Sequence, residues 1–341
     1  MARPRPMSSK SPLSRRSFLR LAAVTSTTVP VKLRAQPLAP KSPAFFPGFR
    51  PVSVATKEAT INGVVGGSGP PVLLLHGYPQ THLIWQKVAR DLANQFTVVC
   101  TDLRGYGDSS VPPDGNNHEG YSKRTMAEDQ VEVMRSLGHS RFSVIGHDRG
   151  GRVGHRMALD HPNAVAKLAV LDIVPTLRLY TTVTKEFATA YWHWFFLLQA
   201  APVPETILLN SAEFFLRGRF LTSRAGDGAS LIPEAISEAT FAEYLRNFKD
   251  PARMHAMCED YRAGASIDLE HDRADLDKKV TCPVLALWGA NNPAVAKLFD
   301  VLATWRERAS DVQGTALQAG HYLPEQVPTE VVAQCSRFLR A

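Results

Sequence analysis

The tract Gly146-His147-Asp148-Arg149-Gly150 closes the apolar run Phe142-Ser143-Val144-Ile145 and sets a carboxylate between two glycines. A strained strand-to-helix turn of this kind holds its central side chain out into a cleft, and anything larger than hydrogen at the flanking positions would clash. A hydroxyl at that centre serves acyl transfer. A carboxylate suits attack on a saturated carbon, because displacement leaves an ester on the protein that water then hydrolyses at the carboxyl carbon. Asp172 follows Leu168-Ala169-Val170-Leu171, and His321 lies in Ala319-Gly320-His321-Tyr322-Leu323-Pro324, which gives the chain order nucleophile, acid, histidine. His321 is expected to activate the hydrolytic water while Asp172 fixes its tautomer and stabilises the imidazolium. The tract Trp288-Gly289-Ala290-Asn291-Asn292, after the next apolar run, offers no competing carboxylate.

Arg149 follows the candidate nucleophile directly and Arg152 lies one helical turn along, so both guanidinia are expected at the substrate end of the cleft. A guanidinium fork donates two parallel hydrogen bonds to a carboxylate, and the pair therefore favours an anionic substrate. The alternative is that one of them forms an ion pair with Asp148 or with an acid above the cleft. His76, His147, His155 and His255 are read as structural or exposed.

These residues need a scaffold, and the sequence describes one. Short β-rich runs bounded by turn residues alternate with helical patterns, the signature of an α/β fold with a mostly parallel sheet covered by helices. Thr60 to Val65 reads as an early hairpin strand; Pro71 to Leu75, Thr97 to Thr101, Phe142 to Ile145 and Leu168 to Leu171 read as buried strands. Val284 to Trp288 and Thr315 to Gln318 add two more. Thr125-Met126-Ala127-Glu128 reads as a capping box opening a helix that stops at Gly138. Between Pro175 and Lys279 no alternating strand pattern occurs; Phe187 to Gln199, Pro233 to Phe248 and Pro251 to Arg262 read instead as helices rich in aromatics. The organisation expected is a first core part at 36–175, an inserted helical cap at 176–279 and a second core part at 280–341. His193, Gln199, Pro202 and Pro204 argue against a membrane span in the uncharged stretch from Phe187 to Pro204.

The 341-residue chain carries a formal charge of +7, yet Arg3, Arg5, Lys10, Arg15, Arg16, Arg20, Lys32 and Arg34 all precede Gln36 with no acid among them. With those eight set aside, 39 basic residues become 31 against 32 acidic ones. No basic excess remains to support nucleic-acid binding. Ser14-Arg15-Arg16-Ser17-Phe18-Leu19-Arg20 resembles the twin-arginine export motif, so residues 1–35 are expected to be a signal peptide read by the twin-arginine export machinery and removed after Ala35. The competing reading is a basic tail without an address. The apolar stretch from Leu21 to Val31 is far short of the roughly 20 residues a spanning helix needs, so a periplasmic protein with no stable membrane anchor is expected. Cys100, Cys258, Cys282 and Cys335 show no metal-ligand spacing and read as buried small apolar residues.

His76-Gly77-Tyr78-Pro79-Gln80-Thr81, Asp102 to Ser109, the Asp148 elbow and Gly320 to Pro324 together resemble the dehalogenase and epoxide-hydrolase group of the α/β-hydrolase superfamily, to which haloalkane dehalogenases are also related. More narrowly, Gly146 to Val153, Tyr191-Trp192-His193-Trp194 and Glu259-Asp260-Tyr261-Arg262-Ala263-Gly264 resemble the fluoroacetate (haloacetate) dehalogenases. That resemblance implies hydrolysis of a small anionic haloacid to glycolate and halide through an ester on Asp148, with no cofactor and no metal. It implies a halide site at His193, Trp194 and Tyr261, with Tyr244 as a second candidate for the phenol, and carboxylate binding by Arg149 and Arg152. The backbone N–H groups of Tyr78 and Arg149 are expected to form the oxyanion hole. An epoxide hydrolase using Tyr261 and Tyr191 as acids, and a non-catalytic small-ligand receptor on the same fold, are the alternatives. A homodimer is left open.

Overall fold

The structure, a computed structural model, describes residues 44–222 and 234–341. Among them, eight strands form one sheet: β1 (Arg50–Ala55), β2 (Thr60–Gly66), β3 (Pro71–Leu75), β4 (Thr97–Thr101), β5 (Phe142–His147), β6 (Val165–Leu171), β7 (Val284–Gly289) and β8 (Val312–Leu317). Their spatial order is β1-β2-β4-β3-β5-β6-β7-β8. The β1–β2 and β2–β4 pairs are antiparallel, and every later pair is parallel. Val72 to Leu75 and Val144 to Ile145 are buried to 1% exposure or less, as expected for interior parallel strands covered on both faces, which read as unbroken apolar runs.

Helices α1 (Gln86–Leu92), α2 (Lys123–Ser136) and α3 (Arg149–Asp160) alternate with the first six strands. Between β6 and β7 run α4 (Thr176–Thr181), α5 (Lys185–Ala190), α6 (Trp192–Leu197), α7 (Val203–Asn210), α8 (Ala212–Thr222), α9 (Glu238–Phe248), α10 (Pro251–Ala265) and α11 (Ile267–Ala274). After β7 come α12 (Val295–Leu298), α13 (Val301–Arg306), α14 (Leu323–Gln326) and α15 (Pro328–Arg340). None of the described helices is long and apolar enough to cross a membrane. The twin-arginine tract and the proposed cleavage site lie outside the described residues.

Several local expectations shift. α2 opens three residues before the expected start, because the Ser122 hydroxyl rather than Thr125 caps it, accepting from the Thr125 N–H at 3.1 Å. Such a cap contributes about 1 kcal/mol. Gly138, with φ +89°, takes the left-handed position after the helix, as its place in the sequence suggests. The stretch read as one helix from Phe187 to Gln199 breaks at Tyr191 into α5 and α6. The break leaves His193 and Trp194 in the first turn of a new helix. Cys100, Cys258 and Cys335 are buried, but Cys282 is only half-buried, at the solvent-near start of β7.

The parallel half of the sheet positions the chemistry. Asp148 follows β5, Asp172 follows the adjacent β6, and His321 follows β8. All three therefore emerge beyond the carboxyl ends of parallel strands, where open α/β sheets place their ligands.

Candidate active site

Asp148 has φ +46° and ψ −116°, a conformation worth about 1–3 kcal/mol of strain for a residue with a side chain. Its neighbours show why glycine is required there. A Cβ on Gly146 would lie 2.5 Å from the Gly150 carbonyl oxygen, and one on Gly150 would lie 2.3 Å from that of Leu75. The turn aims the Asp148 carboxylate at the β3 loop, where the Tyr78 N–H donates to its Oδ2 at 3.2 Å. The Arg149 N–H belongs to the first turn of α3, whose amides have no partner within the helix. Burial pushes the Asp148 pKa up, but its electrostatic interactions with His321, Arg152 and Arg149 outweigh that and hold the group below the usual carboxylate range. The site thus keeps a desolvated carboxylate ionised, the state a nucleophile needs.

His321 donates from Nδ1 to Asp172 Oδ2 at 2.6 Å, and its Nε2 lies 4.0 Å from Asp148 Oδ2. Asp172 also accepts from the Gly289 N–H at 2.9 Å and from the Asn292 amide. The β7 loop that carries no acid therefore serves to hold the acid of β6. His147 donates from Nε2 to the His321 carbonyl at 2.8 Å, and burial drives its pKa down to about 3, so it is a neutral brace under the histidine loop. This matches the structural role expected for it. Asp172, with φ +57°, is a second strained acid beside Asp148.

A cavity of about 420 Å³ opens above these groups. Asp148, His321, Tyr78, His193, Trp194 and Tyr261 all line it, so the sheet brings one half of the predicted site and the β6–β7 helices bring the other. His193 is held neutral, its pKa depressed by burial and by nearby Arg219, and its Nδ1 is buried with no hydrogen-bond partner. Tyr78 stacks near His193 and meets the Tyr261 ring edge-on at a centroid distance of 5.2 Å. Tyr244 is not on the cavity wall; its hydroxyl donates to Glu325 Oε1 at 2.8 Å.

The two arginines are placed differently from the sequence expectation. Neither lines the cavity. Arg149 is fully buried and pairs with Asp260 of α10 through Nη2 at 2.6 Å and Nε at 3.1 Å, with Nη2 also donating to the Asp260 carbonyl at 2.7 Å. Asp260 further binds Lys123 and accepts from the Tyr106 hydroxyl at 2.7 Å. Arg152 donates from Nη1 to the Val174 carbonyl at 3.1 Å and the Thr176 hydroxyl at 3.0 Å. Each keeps a buried donor without a hydrogen-bond partner, Nη1 in Arg149 and Nε in Arg152. Their guanidinia lie over cavity-wall rings, Arg149 4.3 Å from the centroid of Tyr261 and Arg152 4.9 Å from that of Trp194. Buried charges require partners, and α10 brings one that no local spacing announces.

Two further residues escaped the sequence reading. Asp260 is one. The other is Arg219 of α8, the only lysine or arginine among the described residues that line the cavity. A signal for it existed: Arg217 and Arg219 are two residues apart on a helix and so cannot share a face. Arg217 points outward to Glu213 and Glu238, which turns Arg219 inward.

The family described as the alpha/beta hydrolase fold matches residues 70–326. The chain is 45% identical over 294 residues to a fluoroacetate dehalogenase from Burkholderia sp., covering 86% of this chain and 95% of that protein. It is 36% identical over 288 residues to a soluble epoxide hydrolase from Corynebacterium sp. (strain C12), covering 82% and 96%. Among solved structures, an α/β hydrolase from Nostoc sp. PCC 7120 superposes with a TM-score of 0.81 at 54% identity, covering 85% of this chain and 98% of that one. The sheet order, the elbow and the histidine–acid pair define a hydrolase of the strand-end type. The chain belongs to the α/β-hydrolase fold family.

Proposed function

We propose that the protein hydrolyses a haloacetate or related 2-haloacid to the hydroxyacid and halide. The observation that carries this reading is an ionised carboxylate at the elbow, facing an oxyanion N–H on one side and a histidine–aspartate pair on the other. Asp148 attacks the α-carbon, the carbon–halogen electron pair leaves with the halide, and an ester joins Asp148 to the substrate. His321 Nε2, 4.0 Å away, is too far for a direct hydrogen bond and suited to a water held between; it takes a proton from that water as the water attacks the ester carbonyl. Asp172 stabilises the imidazolium, and the Tyr78 and Arg149 backbone N–H groups receive the oxyanion.

The halide departs toward His193, Trp194 and Tyr261, where neutral donors meet its developing charge in a dry corner. The substrate carboxylate is drawn by the charges of Arg149 and Arg152, packed against the Tyr261 and Trp194 rings of the cavity wall, and meets their remaining donors once those rings shift. The 45% identity to a fluoroacetate dehalogenase supports this choice of substrate. Epoxide hydrolysis is the second reading, favoured by the presence of both Tyr191 and Tyr261 on the cavity wall. A single turnover in heavy-oxygen water decides the mechanism: the glycolate hydroxyl of the first turnover carries light oxygen drawn from Asp148. Heavy oxygen there would refute the ester, and turnover of neutral epoxides with no halide released from haloacetates would transfer the assignment to the second reading.

We further propose export by the twin-arginine route. Replacing Arg15 and Arg16 by lysine keeps charge and loses guanidinium geometry, so the double variant is expected to stay in the cytoplasm while the unmodified chain appears shortened in the periplasm. Full-length wild-type protein confined to the cytoplasm would refute this.

A further inference from the structure

Away from the cavity, α10 presents His255 and Glu259 one turn apart on one face, opposite Asp114 in the loop between β4 and α2. The ligand atoms of these three residues all lie within 4.8 Å of one another. His255 directs Nε2 to Asp114 Oδ2 at 3.0 Å and Nδ1 to Glu205 Oε1 of α7, also at 3.0 Å. Glu259 is bound at Oε1 by Arg262 at 2.7 Å and at Oε2 by His118 Nδ1 at 2.6 Å. Arg262 also pairs with Glu205 at 2.8 Å, and the other Glu205 oxygen is buried without a hydrogen-bond partner. Asp114 and His255 remain open to solvent, at 43% and 35% side-chain exposure, whereas Glu205 and Glu259 are buried.

We propose that Asp114, His255 and Glu259 bind one divalent transition ion of the zinc type. Three arguments converge. One is donor chemistry: an imidazole with two carboxylates suits zinc, cobalt or nickel better than calcium or magnesium, which prefer oxygen alone. Geometry supplies another, because donors about 2.0–2.1 Å from a tetrahedral zinc stand about 3.3 Å apart. The Asp114–His255 separation of 3.0 Å need open by only a few tenths of an ångström, and Glu259, within 4.8 Å of both, need close by at most about 1.5 Å.

The third argument is charge and orientation. The three carboxylates of Asp114, Glu205 and Glu259, set against the one guanidinium of Arg262 that bonds both glutamates, leave two negative charges for a dication when His255 is neutral. Nδ1–H of His255 already donates to Glu205, the carboxylate–histidine arrangement that fixes a metal-binding imidazole, and Nε2, now paired with Asp114, is the nitrogen left to ligate. On binding, the ion takes the place of the proton between Nε2 and Asp114, and that proton leaves to solvent. A bound ion would then tie the β4–α2 loop to α10, whose next residues after Glu259 are the Arg149 partner Asp260 and the cavity-wall Tyr261. This proposal stands independently of the haloacid reading.

The test uses the full chain without an affinity tag, stripped with chelator and titrated with zinc chloride by calorimetry, with the melting temperature followed in parallel. One zinc per chain with micromolar affinity and a raised melting temperature is the expected result. Binding should vanish in His255→Ala and Asp114→Ala and weaken about 10- to 100-fold in Glu205→Gln. Cobalt substitution of the wild-type chain supplies a reading that does not depend on any variant folding: a four-coordinate visible spectrum without a thiolate charge-transfer band. No heat and no melting shift with zinc would overturn the site. So would undiminished affinity in folded His255→Ala, or a thiolate band, which would place the ion at a cysteine.

Discussion

Asp148 and Arg149 are adjacent in the chain but are held by opposite halves of the molecule. Asp148 is fixed by its own neighbourhood, through two glycines that permit the turn and an N–H from the next strand loop that meets its carboxylate. Arg149 is fixed by Asp260, 111 residues further on, with Lys123 and Tyr106 on the same carboxylate. The proposed nucleophile is thus built by local sterics, whereas the cation beside it is built by the seating of α10 on the sheet. Damage to the strand-end half should stop individual chemical steps and leave binding intact. Damage to the α10 half should loosen substrate binding and the fold together.

The largest effects are expected on the strand-end side. Asp148→Asn removes the proposed nucleophile and should cut turnover roughly 10⁴- to 10⁶-fold, measured as halide release. His321→Gln should separate the two steps: one halide is released per enzyme, turnover stops, and mass spectrometry of the peptide containing Asp148 finds the trapped ester. Steady halide release by His321→Gln would show that another group activates the water.

Asp260→Asn comes next and tests the α10 half. Breaking a buried ion pair from one side costs about 3–5 kcal/mol, because the partner charge stays buried. The variant should melt markedly earlier and show a raised KM for the anionic substrate, with a smaller change in kcat. A melting temperature within error of the wild type would mean that Arg149 has another anchor.

The smallest effect joins the two halves. Glu325 of α14 accepts from Tyr244 of α9 and from Gln80 in the loop after β3, and burial lifts its pKa from 4.5 to about 8. A carboxyl raised in the folded state contributes stability that is fully present below pH 4.5 and is lost as pH rises through about 8. Glu325→Gln has no proton to lose, and Gln80 Oε1, buried without a hydrogen-bond partner, can accept from the new amide after its own amide turns over. The melting temperature of Glu325→Gln relative to wild type should therefore climb between pH 5 and 8. A flat difference across that range would mean that Glu325 is already ionised in the fold.

Much of the strand-end half could be read from the chain because its determinants are short-ranged. Unbroken apolar runs located β3, β4 and β5, the glycine spacing located the elbow, and Asp172 and His321 were found by chain order and by what their loops lacked. The helices between β6 and β7 were harder. Their aromatic content marked a helical insertion, but the break at Tyr191 and the existence of α7 and α8 depend on how short helices pack over one another rather than on periodicity.

The sequence by itself determined the parallel sheet, the Asp148 turn and the order of Asp148, Asp172 and His321 at the strand ends, since side-chain alternation, glycine sterics and strand ends act over a few residues. Only the tertiary structure decided which of the 32 acidic residues neutralises Arg149, that Arg219 faces the cavity, and that Asp114, His255 and Glu259 meet. A buried charge must find a counter-charge or a hydrogen-bond partner, but that requirement names no position along the chain. The partner is chosen when helices remote in sequence close over the sheet, and with it the choice of which donors remain for a substrate.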